Sequence, residues 1–158
     1  MAIFTGDEIF RISIELEKKG EQFYEALAEK AGDRKVAELC KDLAAQEQQH
    51  ARLFEELRVK TTTRAASRPL SWDELHFAQM LVEERALPDP DEAREVVAKQ
   101  GVVAALDMAI QFEKDSVLFF QELLPAVDEQ DRQAVSAIVE KEKQHAEKLV
   151  KVKRGLAS

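Results

Sequence analysis

Two short stretches of the 158-residue chain place a histidine three residues after a glutamate: Gln46-Glu47-Gln48-Gln49-His50 and Lys141-Glu142-Lys143-Gln144-His145. On a helix, residues at i and i+3 share a face, so each Glu and His can reach one common point. Both pairs fall inside apolar stripes. One stripe reads Val36, Cys40, Leu43, Glu47, His50, Phe54, Leu57, and the other reads Val135, Ile138, Glu142, His145, Leu149, Val152. The steps alternate between three and four, the spacing of a bundle interior. A carboxylate in such a position is costly unless it is paired or bound to a metal. Two further glutamates interrupt stripes in the same way: Glu17 among Phe10, Ile14 and Tyr24, and Glu113 among Ile110, Val117 and Phe120. Four carboxylates and two imidazoles form a hard oxygen and nitrogen set, suited to iron or manganese rather than to a closed thiolate zinc site. Two such metals sharing carboxylates can cycle between M(II)/M(II) and M(III)/M(III), a two-electron chemistry. The competing reading pairs these polar residues with one another, but four buried acids against two imidazoles leave charge unbalanced.

The elements that must position these residues are legible as a repeat. Leu16-Glu17-Lys18-Lys19 and Phe23-Tyr24 precede the first Glu-x-x-His, as Phe112-Glu113-Lys114-Asp115 and Phe119-Phe120 precede the second. Glu17 lies 30 residues before Glu47, and Glu113 lies 29 before Glu142. A duplicated helix pair sets two equivalent half-sites face to face. Thr5 and Glu8 have capping-box spacing, so a first helix starts near Asp7 and runs to Gly32, a C′ residue. Asp33 caps the second helix. Lys60 to Pro69 reads as loop, and Ser71 with Glu74 opens a short helix through Leu75 and Leu81, anchored by Trp72. Leu87-Pro88-Asp89-Pro90-Asp91 is a break. A third long helix lies between Asp91 and Leu124, with Gly101 interrupting its start and Pro125 ending it, and a fourth begins near Asp128. The expectation is an all-α four-helix bundle in one domain over residues 1–158, with pairs at about 7–58 and 102–153 and a crossover at about 59–101.

Composition agrees with that reading and excludes others. Five Gly and four Pro are too few for a turn-dense β fold, while 34% charged and 45% hydrophobic residues fit long amphipathic helices with one sizeable core. A net charge of −8, with no basic cluster, disfavours nucleic acid. The single Cys40 excludes an internal disulfide and any four-cysteine metal site, and reads as a core thiol. No basic n-region opens the chain and no stretch approaches a membrane span, so a cytoplasmic protein with no membrane partner is expected. His76 sits in the crossover without a repeat partner and reads as a surface histidine.

With these motifs the chain resembles the rubrerythrin branch of the ferritin-like superfamily, over both helix pairs. The resemblance implies bridging carboxylates at Glu47 and Glu142, terminal ligands at Glu17 and Glu113, and one metal on each of His50 and His145. It implies two iron ions as the cofactor, with manganese or zinc as substitutes. Tyr24, seven residues after Glu17, is similar to a family tyrosine close to the metals and is a candidate for a proton or electron role, with plain packing as the alternative. Several family features are missing. Full-length rubrerythrins append a rubredoxin domain with iron on four cysteines, which one cysteine cannot supply. The family's extra glutamate, three residues after the third-helix ligand, is Ser116 here, and Phe120 replaces the second-half tyrosine. Gln48 follows Glu47 where bacterioferritins place a haem-binding methionine, so no haem is expected.

The function implied is a non-haem di-iron oxidoreductase reducing hydrogen peroxide or O2, in oxidative-stress defence. An external electron donor such as a rubredoxin or a flavoprotein would re-reduce it. Two alternatives stand beside it: a ferroxidase for iron storage or delivery, and a helical structural module that metal only stabilises. A homodimer is expected, in which the long crossover lets helix pairs exchange.

Overall fold

The computed structural model describes residues 6–62, 73, 76, 80 and 89–156. The helices described over their full length are α1 (Gly6–Lys30), α2 (Arg34–Thr62), α3 (Pro90–Gln100), α4 (Val102–Leu123) and α5 (Glu129–Leu156), with a 3-10 turn at Leu124–Ala126 between the last two; residues 73, 76 and 80 are also helical. Among the described residues there is no strand, and no helix is long and apolar enough to cross a membrane.

Local signals account for the connections. Gly32 sits at φ +70, a left-handed conformation that glycine adopts without steric cost, and so ends α1. One residue later Asp33 accepts from the Val36 amide at 3.0 Å and caps α2, as expected. Helix α2 runs to Thr62, beyond the expected loop boundary near Lys60. Its threonines do not break it, and the Thr61 hydroxyl finds an acceptor within the helix, the Leu57 carbonyl at 2.8 Å. The third helical region is divided at Gly101 (φ +90) into α3 and α4, the interruption expected there. The start of α3 is sharper than a simple break. Asp89 accepts from the amides of Asp91 and Glu92, Glu92 reaches back to the Asp89 amide, and Pro90 fills the first turn. The Thr5 and Ser71–Glu74 capping signals and Trp72 lie outside the described residues. His76 is exposed.

The long helices form two antiparallel pairs, α1 with α2 and α4 with α5, and Arg94 on α3 braces the bundle through Glu29 of α1 at 3.0 Å. The core is divided along the bundle axis. One apolar cluster holds Phe10, Ile14, Leu16, Phe54, Phe119, Phe120, Val135 and Ile138, with Phe54 stacked on Phe120 at 5.1 Å. The other holds Phe23, Tyr24, Leu27, Cys40, Leu43, Leu106, Ile110 and Leu149. In all four long helices the gap between clusters falls at the polar interruption: Glu17 on α1, Glu47 and His50 on α2, Glu113 on α4, Glu142 and His145 on α5. Two dry blocks therefore clamp one polar layer at mid-bundle.

Candidate metal centre

The polar layer is buried. Glu47, Glu113, Glu142 and His145 are 0% exposed, Glu17 is 2% and His50 is 8%. Their ligand atoms fall into two groups, each within 4.8 Å: Glu17, Glu47, His50 and Glu142, and Glu47, Glu113, Glu142 and His145. All six residues singled out from sequence are thus brought together. Glu47 and Glu142, the two glutamates of the Glu-x-x-His pairs, belong to both groups. The rings of His50 and His145 lie parallel across the layer, with centroids 5.6 Å apart.

The contacts are close in distance but misaligned for hydrogen bonding. Nδ1 of His50 is 2.8 Å from Glu142 Oε1 and 3.5 Å from Glu17 Oε2. Nδ1 of His145 is 3.0 Å from Glu47 Oε1, 3.6 Å from Glu113 Oε1 and 3.7 Å from Glu142 Oε2. Yet both Nδ1 atoms, both oxygens of Glu47 and of Glu142, Glu17 Oε2 and Glu113 Oε2 have no hydrogen-bond partner. Orphaned buried polar atoms are rare because each costs roughly 1–3 kcal/mol, more when charged. Eight of them converging from four helices would be satisfied together by cations, and the oxygen and imidazole donors match a divalent transition metal. The residues fit a di-metal site.

Without metal, the layer holds protons instead. Burial raises the carboxyls of Glu17, Glu47 and Glu113 well above the ordinary value, and repulsion from Glu142 adds to it. Burial opposes ionisation of Glu142 too, but close contacts with Glu113, His145 and His50 outweigh it and hold Glu142 below the usual range. Burial likewise disfavours imidazolium at His145, and its carboxylate neighbours Glu113, Glu142 and Glu47 overcome this, pushing it up to about 12.

Around the layer, Tyr24 is fully buried and its hydroxyl donates to Glu113 Oε1. Burial and the facing Glu113 and Glu47 raise its phenol well above the usual value, so it stays protonated. Ser116, at the position of the family's extra glutamate, is buried, and its hydroxyl donates to the Phe112 carbonyl at 3.0 Å. Two contributors escaped the sequence reading. Gln46 approaches His145, and Gly20 lies so close to Phe112 that an added Cβ would meet its ring at 3.0 Å and Glu47 Cγ at 3.4 Å. The signal for Gly20 was its place one turn after Glu17 in mid-helix, where glycine costs about 1 kcal/mol relative to alanine.

Comparison with known proteins agrees with this geometry. The structure is similar to the 2.30 Å crystal structure of a Thermotoga maritima protein described as a candidate ferritin-like diiron-carboxylate protein, with TM-score 0.69, 27% sequence identity, and coverage of 98% of this chain and 97% of that one. Comparison with curated proteins found no match. The family model for rubrerythrin matches residues 8–86, half of the chain. The chain has the ferritin-like diiron-carboxylate fold, and it belongs to the rubrerythrin family.

Proposed function

We propose that this protein is a non-haem di-iron oxidoreductase that reduces hydrogen peroxide or O2 with electrons from an external donor. The observation that carries the reading is the pair of four-residue ligand groups sharing Glu47 and Glu142 in a buried layer. Glu17, Glu47 and His50 would hold one iron with Glu142, and Glu113 and His145 would hold the other with the same shared pair. Manganese or zinc can occupy the same donor set. Bound iron would supply the two electrons that cleavage of one O–O bond consumes.

The chain's own residues do the rest. The two apolar clusters keep bulk water from the layer, which strengthens every charge interaction inside it. His50 is the most exposed of the six residues, so small oxidants would enter from its side. Reduction of hydrogen peroxide to two waters takes up two protons. Tyr24 holds one against Glu113 Oε1 and would pass it into the layer. Cys40 is buried in the apolar cluster around Leu43 and lies outside both ligand groups, and an external donor such as a rubredoxin or a flavoprotein would re-reduce the centre. The working unit would be a cytoplasmic homodimer, in which the crossover lets helix pairs exchange between protomers.

The test is anaerobic loading with Fe(II), followed by stopped-flow mixing with peroxide and, separately, with O2. Much faster oxidation by peroxide is expected. Faster oxidation by O2 in a cage-sized assembly would instead indicate iron storage. Absence of any redox turnover, with metal changing only the melting temperature, would reduce the centre to a structural role.

A further inference from the structure

Besides Tyr24, a second polar side chain outside the six reaches the layer's edge. Gln46, half-buried on α2, places Oε1 3.0 Å from Nε2 of His145 on α5. One turn earlier its own amide nitrogen donates to Asp42 Oδ2 at 2.8 Å, and that oxygen lies 3.5 Å from Nζ of Lys148 on α5. The polarity of this chain fixes each hydrogen. The Asp42 carboxylate accepts, so it takes the amide NH2 group of Gln46. The amide oxygen is left facing His145, and an amide oxygen can only accept. Nε2 of His145 therefore carries a hydrogen, and Nδ1 is the nitrogen turned toward Glu47, Glu113 and Glu142. A hydrogen bond of this kind, on the far nitrogen of a ligating histidine, sets its tautomer and ring orientation.

The opposite half of the repeat lacks the device. Lys141 stands where Gln46 does, one residue before the glutamate of its Glu-x-x-His, and it is exposed. An ammonium has three donors and no acceptor, so it cannot brace a histidine N–H. Among the described residues none accepts from Nε2 of His50, whose side chain is 10% exposed against 0% for His145. The two halves are alike in ligand types and unlike in what holds the histidine.

We propose that Gln46 is a positioning residue that fixes the His145 tautomer, so that the Glu47–Glu113–Glu142–His145 position is preorganised and binds its metal more tightly than the Glu17–Glu47–His50–Glu142 position. This rests on the di-metal reading above. Losing such a bond costs roughly 10–100-fold in metal affinity. The test is calorimetric titration of the metal-free full chain with Zn(II), together with long-range 1H–15N NMR of the histidine rings in the Zn(II)-loaded protein. Wild type should bind two ions with unequal affinities, and His145 should show an Nε2–H that exchanges slowly. Gln46→Leu should weaken the tighter ion by about 10–100-fold and leave the weaker one nearly unchanged. Gln46→Glu, which keeps the acceptor, should restore the tighter site. A Gln46→Leu chain that binds both ions as wild type does would overturn the proposal and leave the di-metal reading intact. A wild-type His145 with its proton on Nδ1 would overturn it whether or not any variant folds. A wild type that binds no Zn(II) would fail at the earlier step, overturning the di-metal reading and this proposal together.

Discussion

Burial raises the proton affinity of an acidic group with no cation beside it, and the two kinds of buried acid in this chain show it separately. Cys40, inside the apolar cluster around Leu43 and Leu106, has its thiol pushed up to about 12 by desolvation. It should therefore resist a thiol reagent at about pH 8 in the native protein and react once the chain is denatured. Rapid labelling of the folded protein would contradict that burial. Glu17, Glu47 and Glu113 are raised by the same cause, and the sign of the stability effect follows. Their contribution is complete below the unfolded value of 4.5 and is lost as pH rises through the folded values; His145 acts likewise above 6.5. Glu142 works in the opposite sense, its contribution being lost on acidification below 4.5. The metal-free protein should consequently melt at a higher temperature at about pH 5 than at about pH 8, as circular dichroism melts would show. At this scale the six layer residues were legible, because an acid at a stripe position conflicts with everything around it. Gln46 was not. A glutamine in a run of Gln, Glu and Gln looks like a solvated face, and only the fold brings it to a histidine 99 positions away.

Helices hold the layer by geometry that single residues do not reveal. Phe54 on α2 sits between Phe10 and Phe120, at 6.1 and 5.1 Å, and closes one end of the layer. Phe54→Ala should cost about 3–5 kcal/mol of stability in urea unfolding, with the surroundings only partly collapsing. Gly20 makes the opposite demand on α1. An alanine in a helix interior ordinarily gains about 1 kcal/mol over glycine. Here the new Cβ would press on Phe112 and approach Glu47 Cγ. Gly20→Ala should therefore show no gain in melting temperature and should weaken metal binding; a clear stabilisation with unchanged binding would contradict the packing described. The long helices were legible from their stripes and their 29- and 30-residue repeat. The start of α3, at Pro90, falls one residue before the expected Asp91; what the two prolines masked is the Asp89–Glu92 capping box that begins it. The end of α2 was read too early, since threonine lowers helix propensity without forbidding a helix that is already propagating.

For the molecule as a whole, the layer is a set of charges that costs stability when empty of cations and adds stability when filled. Divalent metal at 100 times its dissociation constant stabilises a site by about 2.7 kcal/mol, a rise of roughly 5–10 °C for a domain of this size. Filling the layer should therefore raise the melting temperature most at alkaline pH, where the metal-free layer is least stable, and release protons as it binds. The pseudo-twofold repeat, the division of the core and the shared Glu47 and Glu142 all express one design, in which two helix pairs each contribute half of a buried site. If this layer is a two-metal centre, Glu142 is common to both positions and its loss empties both. The most direct measurement is elemental analysis of metal per chain, for wild type and for Glu142→Ala, purified from iron-supplemented cells and checked for helicity by circular dichroism. Two metals per chain are expected in the wild type and neither in a helical Glu142→Ala variant; two tightly held metals in that variant would show that Glu142 is not a shared ligand.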